Sequence, residues 1–168
     1  MNILLKITAG LLASVRADLE RPHRFAFERV GFLTAGAARV QDGLLLVCRA
    51  YHPITDEDYE RSNSVGAQIG SNAMRKGIEA AYATSSSLIH IHTHGGAGDP
   101  EFSGVDLRSA PGFVPGFFNA LPRMPHGLVV LSNDSARGLM WTRRDEGPRD
   151  INGFVQVGSS VQKFGIRA

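Results

Sequence analysis

Three histidines alternate with apolar or small residues in the stretch LIHIHTH, and two glycines follow the third histidine directly. Residues two apart in a strand point to the same face of a sheet, so this stretch predicts a strand with His90, His92 and His94 on one side. The glycines that follow allow the chain to turn sharply. The stretch therefore predicts a strand that brings several imidazoles together at its end.

The rest of the chain predicts a mixed α/β order within one domain over residues 1–168. A strand and an amphipathic helix come first and run through Leu19. Two strands over residues 24–40 and 43–54 pair around a turn at residues 41–43. A helix is predicted from Ser71, with Ser71 as its N-cap, and the histidine strand follows it. A second helix is predicted from Gly104, interrupted by Pro111 and Pro115. The chain then forms a hairpin that turns near residues 133–135 and a last strand at 152–159.

Composition and charge favour an ordinary globular domain. The 168 residues are 43% apolar and 20% charged with a formal net charge of +2, as in an ordinary globular domain. The arginines are scattered, whereas nucleic-acid binders usually carry a concentrated basic stripe. Cys48 is the single cysteine, which fits a reducing compartment. The apolar start is interrupted by Lys6 and is shorter than the ~20 residues that span a bilayer, so we expect a cytoplasmic protein.

The histidine row predicts a metal site. Same-face imidazoles lie within reach of one ion, and neutral imidazole is a common zinc ligand. Asp106, on the helical segment that follows, can fold back and supply an oxygen. Two histidines and a carboxylate leave one tetrahedral position open, which is typical of catalytic zinc. An isolated His-x-His pair is more often part of a core or a surface.

Two other interpretations of the glycine-rich stretch fail on missing motifs. The letters HGGAG resemble the oxyanion loop of some esterases, but the Gly-x-Ser-x-Gly elbow that these enzymes need is absent from the sequence. The glycines could also cradle a phosphate, but neither phosphate-loop glycine pattern occurs.

The stretch HTHGGAGDPEFSGVDL, with FERVGFLTAG upstream, resembles the JAMM (MPN-plus) metallopeptidase family, whose signature is Glu … His-x-His … Ser-x-x-Asp. The matching residues are Glu28, His92, His94, Ser103 and Asp106, and Gly31 completes the Glu-x-x-Gly context of the glutamate. Two features differ from the usual family pattern: Gly95 replaces a proline, and one additional residue separates the second histidine from the serine. The resemblance in motifs covers residues 28–106.

The resemblance implies a fold, a cofactor and an activity. The implied fold is an α+β domain with a central mixed sheet flanked by helices, in a JAMM/MPN-like (cytidine-deaminase-like) architecture. One zinc per chain would be bound by His92, His94 and Asp106, with Glu28 as general base and Ser103 as donor to the oxyanion. The implied activity is that of a zinc-dependent isopeptidase or peptidase, which cleaves after the C-terminal tail of a ubiquitin-like protein in deconjugation or precursor processing.

The resemblance also implies the partner, a ubiquitin-like protein or its conjugate in a bacterial ubiquitin-like pathway. The scattered arginines and the short apolar start suggest neither a specific nucleic acid nor a membrane as a partner. An extended peptide docking on a free sheet edge beside the metal is a further expectation.

Other interpretations stay open. The domain could be a non-catalytic MPN-type scaffold that binds a ubiquitin-like partner, and the high pI leaves a nucleic-acid-binding module as a second alternative. Taken alone, Glu28 is a surface carboxylate and Ser103 is a helix N-cap. We expect His90 to be a core histidine or a support for the ligands rather than a ligand itself. The sequence does not fix the oligomeric state.

Overall fold

The computed structural model describes residues 1–22, 27–41, 43–61 and 66–165. A single 3-10 turn lies at Asp56–Asp58. The other elements, in chain order, are β1 (Asn2–Thr8), α1 (Ala9–Leu19), β2 (Val30–Val40), β3 (Gly43–Pro53), α2 (Ser71–Ala83), β4 (Ser87–Thr93), α3 (Gly104–Phe117), β5 (His126–Leu131), β6 (Ala136–Trp141), β7 (Arg149–Asp150), β8 (Gly153–Val157) and β9 (Val161–Phe164).

All of these strands belong to one curled mixed sheet, in the order β7-β6-β5-β4-β2-β3-β1-β8-β9. The parallel pairs are β1 with β3, β1 with β8 and β4 with β5. Both of the predicted hairpins are confirmed: β2 pairs antiparallel with β3, and β5 pairs antiparallel with β6. The strand β4 therefore lies in the middle of the sheet, between β2 and β5.

The helices divide between the two faces of the sheet. Leu12, Val15 and Leu19 of α1 pack into a core cluster on one face, while α2 and α3 contribute to a second cluster on the other face. This arrangement confirms the predicted α/β class, with a mixed sheet covered by helices on both sides.

The strand β4 alternates between these two cores. Ile89 and Ile91 belong to the α1 side of the sheet. Leu88 belongs to the α2/α3 side, and the period of two places His90 and His92 on that side with it. The prediction of three histidines on one face of the strand is thus confirmed for His90 and His92, whereas the third, His94, follows the last residue of β4.

Several predicted boundaries are wrong. The N-cap of α2 is Gly70, and Ser71 is the first helical residue. The predicted last strand at 152–159 corresponds to β8, but β9 follows it. The strand predicted from residue 24 begins only at Val30, and residues 23–26 lie outside the described part of the chain.

The prolines do not interrupt the second helix, because α3 runs without a break through Pro111 and Pro115. A proline removes the hydrogen bond to the carbonyl four residues earlier, which for Pro111 is that of Leu107. Both Pro111 and Leu107 are exposed, so water can satisfy that carbonyl. Val114 and Phe117 of the same helix are buried in the core, and this packing stabilises the helix beyond the first proline.

None of the helices in the described residues is both long enough and apolar enough to cross a membrane.

Candidate metal centre

The topology brings three separate segments to the end of β4. Because β2 and β4 are antiparallel and Val30 pairs with His92, the residues just before β2 lie beside the last residues of β4. Glu28 is two residues before β2 and therefore lies near His92 and His94. The loop after β4 leads into α3, whose first turn contains Asp106.

Three side-chain atoms form a compact triangle at this point. The Nε2 atoms of His92 and His94 are 3.1 Å apart. The Oδ2 atom of Asp106 lies 3.4 Å from Nε2 of His92 and 3.5 Å from Nε2 of His94. The His92 side chain is 2% exposed and those of His94 and Asp106 are 22% and 18% exposed, so the triangle is open on the His94 side.

Glu28 lies at the same site. Its Oε1 atom is 3.8 Å from Nε2 of His94, and its side chain is 31% exposed. Ligand atoms of Glu28, His92 and His94 all lie within 4.8 Å of one another, close enough for the three residues to hold a metal ion. Two carboxylates thus compete for the third ligand position, and the Asp106 oxygen lies nearer to His94 Nε2 than the Glu28 oxygen does.

Asp106 is fixed by the residue that begins its helix. The Ser103 backbone N–H donates to Asp106 Oδ2 at 2.8 Å, and the Asp106 backbone N–H donates to Ser103 Oγ at 3.1 Å, which completes a capping box. The N-cap interpretation of Ser103 is therefore confirmed. Partial burial alone would raise the pKa of the Asp106 carboxyl, but the interactions with His92 and Ser103 outweigh it and hold that pKa well below its usual range.

The backbone around Glu28 is anchored on both sides. The backbone N–H groups of Phe27 and Glu28 both donate to the Gly66 carbonyl, at 2.8 and 2.9 Å. On the other side, the Tyr59 hydroxyl accepts from the Val30 N–H at 2.9 Å and donates to the Val30 carbonyl at 3.0 Å. These contacts fix the two ends of the short segment that carries Glu28.

Arg29, which lies between Glu28 and Val30, is anchored as well. The Arg29 side chain is buried, donates to the carbonyls of Arg21 and Pro22, and forms an ion pair with Asp56 at 2.8 Å. Since Arg29 points away into these contacts, its neighbour Glu28 is free to face the histidines.

His90 lies on the same face as His92 but apart from the triangle. Its ring is 5.8 Å from the His92 ring and 5.3 Å from the Phe113 ring, between centroids. The residue is only partly buried, yet its Nδ1 atom is inaccessible and has no hydrogen-bond partner among the described residues. Burial, with a smaller effect from the charge of His92, lowers the pKa of His90 to about 3. The imidazole is therefore neutral at neutral pH.

The glycine-rich loop after His94 has the conformation that its sequence predicts. Gly95, Gly96 and Gly98 have φ values of 65°, 70° and 86°, a region that residues with side chains rarely adopt. The loop is tied to the turn between β5 and β6, because Asn133 N–H donates to the Gly96 carbonyl and Gly98 N–H donates to Asp134 Oδ1. These two hydrogen bonds hold the loop against the turn between β5 and β6.

A cavity of about 530 Å³ adjoins the triangle. Its lining includes Glu28, His92, Ser103 and Asp106, together with apolar residues such as Ile69, Met74 and Phe113. Its volume is in the range of ligand-binding pockets. Within the described residues, β4 is paired on both sides, with β2 and β5, and the outermost strands of the sheet are β7 and β9. The docking of an extended peptide beside the metal stays a prediction.

Sequence reasoning missed two residues that support the site. Tyr59 clamps the start of β2, and His126 holds the start of β4. His126 is fully buried, accepts from the Leu88 N–H at 3.0 Å through Nδ1, and lies 3.1 Å from the Leu121 carbonyl through Nε2. Neither residue belongs to a motif, so the sequence contains no local signal for these contacts.

Comparison with known proteins adds little. No family model and no curated protein matches the chain. Among solved structures, the chain is similar to the STIL N-terminal domain of Trichoplax adhaerens, with a TM-score of 0.39 and 11% identity over 82% of this chain. The chain spans 40% of the length of that structure. A similarity at this level bears on neither the fold nor the chemistry of the site.

Proposed function

We propose that this protein is a zinc-dependent isopeptidase of the JAMM type, with zinc bound by His92, His94 and Asp106. One observation carries the proposal. Two ligand atoms at about 2.0–2.1 Å from a tetrahedral zinc lie about 3.3 Å apart. The separations in the triangle of Nε2, Nε2 and Oδ2 atoms are 3.1, 3.4 and 3.5 Å, so one ion can contact all three atoms with little rearrangement.

The donor set and its surroundings support zinc in an open site. Two imidazoles and one carboxylate form a ligand set typical of catalytic zinc, which keeps its fourth position for water or substrate. The Oε1 atom of Glu28 lies 3.8 Å from Nε2 of His94, and the cavity that Glu28 lines is also lined by His92 and Asp106. We therefore assign Asp106 as the third ligand and Glu28 as a proton acceptor that is not a ligand.

The proposed chemistry assigns a task to each remaining side chain. A zinc ion held by His92, His94 and Asp106 would lower the pKa of a bound water to about 7 and would polarise a substrate carbonyl. Glu28 accepts a proton from the attacking water at a carboxylate oxygen and passes it to the leaving amine. Ser103 Oγ already accepts from the Asp106 N–H, so its own hydrogen is free to be donated to the developing oxyanion.

The substrate class rests on the resemblance of the motifs. Glu28, the two histidines, Ser103 and Asp106 follow the JAMM signature, and the short distances among the side chains of Glu28, His92, His94 and Asp106 support this assignment. We propose the JAMM/MPN-like architecture on the same basis. The substrate is then an isopeptide or peptide bond after the tail of a ubiquitin-like protein, and the cavity, with its apolar lining residues, offers space for side chains of that tail.

A second candidate follows from the competing carboxylate. If both Glu28 and Asp106 bind the ion, the four ligands close a tetrahedral site, which is typical of structural zinc, and the domain acts as a scaffold for a ubiquitin-like partner. The short distances from Glu28 to the histidine ligand atoms favour this alternative enough to require a test.

The substitution Glu28→Gln separates the two candidates. Glutamine keeps the shape of the side chain but cannot accept the proton, so cleavage of a ubiquitin-like fusion should fall by at least ~10²-fold. Zinc content, measured on the purified protein by mass spectrometry, should stay near that of the parent because Glu28 is not a ligand. The control His94→Ala should lose most of the zinc. Loss of zinc in Glu28→Gln would support the closed structural site, and unchanged cleavage would place the base elsewhere.

A further inference from the structure

The carbonyl of Gly66 fixes the backbone before β2. It accepts two hydrogen bonds, from Phe27 N–H at 2.8 Å and from Glu28 N–H at 2.9 Å. The Gly66 backbone therefore lies directly against the residue that we assign as the proton acceptor. Gly66 also lines the cavity together with Glu28.

The missing side chain of Gly66 leaves the space that the Glu28 carboxylate occupies. A Cβ atom built on Gly66 would lie 2.5 Å from Oε2, 2.7 Å from Cδ and 3.1 Å from Oε1 of Glu28. Favourable contacts between non-bonded carbon atoms lie at about 3.5–4.0 Å, so the carboxylate would have to move. Gly66 is not among the glycines with positive φ, so space rather than backbone conformation is the reason for a glycine here.

This movement of the Glu28 carboxylate would destabilise the fold little but would disturb the site. The Glu28 side chain is flexible and 31% exposed, so it can rotate away from a methyl group into solvent. Rotation would carry Oε1 away from His94, where it now lies 3.8 Å from Nε2. A displacement of about 1 Å in a reacting group can lower a rate by ~10²-fold.

We infer that Gly66 is a positioning residue, which holds the Glu28 carboxylate at the metal centre by lacking a side chain. The inference rests on the proposed role of Glu28 as proton acceptor. It is independent of the identity of the ubiquitin-like substrate, because the contact is internal to the chain.

The test compares Gly66→Ala with the matched control Gly70→Ala in the zinc-loaded full chain. At Gly70 the nearest atoms to a new Cβ are Glu60 Oε1 at 3.5 Å and the Asp58 carbonyl oxygen at 3.6 Å, which are ordinary contacts. Gly66→Ala should lower kcat for a ubiquitin-like fusion by at least roughly tenfold, with KM and zinc content unchanged. Gly70→Ala should leave kcat unchanged.

A double-mutant cycle shows whether Gly66 acts through Glu28. In a Glu28→Gln background the proton acceptor is already lost, so adding Gly66→Ala should cause no further loss of cleavage. An additional loss of the same size as in the parent would mean that Gly66 acts by another route, and the inference would be wrong.

If Gly66→Ala lowers the thermal midpoint, Gly66→Ala combined with Glu28→Ala should restore it, because the clash is removed.

A readout without catalysis separates this inference from the proposed function. In protein labelled with carbon-13 at glutamate carboxyls, the Glu28 resonance is the one that Glu28→Gln removes. It should shift in Gly66→Ala and stay in place in Gly70→Ala, whether or not any substrate is cleaved. An unshifted resonance in Gly66→Ala would overturn the inference. A shifted resonance in a protein that cleaves no ubiquitin-like fusion would support the contact and contradict the proposed activity.

Discussion

Ser103 combines a structural and a proposed catalytic role in one hydroxyl group. As N-cap of α3 it accepts the Asp106 N–H through Oγ, and its own N–H donates to the Asp106 carboxylate. The same hydroxyl retains its hydrogen for a substrate and lines the cavity. Ser103 therefore lies beside Asp106, a proposed ligand, because the capping box ties the two residues together.

Comparing two substitutions separates these roles of Ser103. Ser103→Ala removes both the cap and the donor, and should cost about 1 kcal/mol of stability. Ser103→Gly removes the same donor but costs only a few tenths of a kcal/mol as an N-cap. If Oγ stabilises the oxyanion, both variants should lose roughly 10²- to 10³-fold in kcat with zinc retained. A clearly more active Ser103→Gly would instead mean that the cap, and not the donor, matters. Steady-state kinetics and thermal unfolding provide the two measurements.

At the scale of single residues, the sequence predicts those site residues that belong to a spaced pattern. His92, His94 and Asp106 lie within fifteen residues of one another, so the period of a strand and one short loop suffice to bring them together. Gly66 and Tyr59 support Glu28 from a distant segment, through a missing side chain and one hydroxyl group. No local pattern marks such contacts, because they depend on how separate segments pack.

The strand β4 is the element on which the site depends, and its neighbour β5 fixes it at both ends. At the start, the buried His126 of β5 accepts the Leu88 N–H. At the end, the Leu131 carbonyl accepts the His94 N–H at 3.0 Å and the Thr93 hydroxyl at 3.1 Å. The backbone position of His94 is thus set by hydrogen bonds even though the residue lies beyond the strand.

The buried His126 predicts a dependence of stability on pH. Burial lowers the pKa of His126 to about 4, although its hydrogen bonds oppose this. In the unfolded chain the pKa is about 6.5, so the unfolded state binds the proton first. The free energy of unfolding should be highest above pH ~6.5 and fall towards pH 4, by at most about 1.4 kcal/mol per pH unit from this group.

Chemical denaturation of metal-free protein, with a chelator present, measures this slope without the contribution of metal binding. His126→Gln keeps one acceptor and one donor but does not titrate, so its slope between pH 6.5 and 4 should be smaller than that of the parent. Other titrating groups contribute equally to both proteins. Equal slopes in the two proteins would show that His126 is not the group responsible.

At the scale of elements, the sequence predicts whether a segment is a helix or a strand better than it predicts where the segment begins and ends. The period of two identifies β4, and the two hairpins follow from their turn residues. The prolines in α3 wrongly predict a break in the helix, because helix propensity reflects only the local sequence. The helix continues because Val114 and Phe117 are buried in the core. Likewise, β9 is short and mostly exposed, so it lacks the apolar pattern of a strand and is held mainly by its pairing with β8.

At the scale of the whole molecule, the strand order decides which residues meet. Glu28 and His94 are far apart in sequence, and only the antiparallel pairing of β2 with β4 places the start of one beside the end of the other. Composition and periodicity do not specify that order, which depends on long-range pairing. The motif resemblance anticipates the meeting of Glu28 with the histidines, but the short distances from Glu28 to the histidine ligand atoms leave two coordination states to distinguish.

The central claim is that one zinc is held by His92, His94 and Asp106 in an open site, with Glu28 beside the ion and not bound to it. A crystal structure of the zinc-loaded full chain, with anomalous diffraction data at the zinc edge, tests it directly. We predict one anomalous peak at about 2.0–2.2 Å from both Nε2 atoms and Asp106 Oδ2, with a fourth position free of protein atoms. A Glu28 oxygen at bonding distance, or no peak within the triangle, would contradict the account.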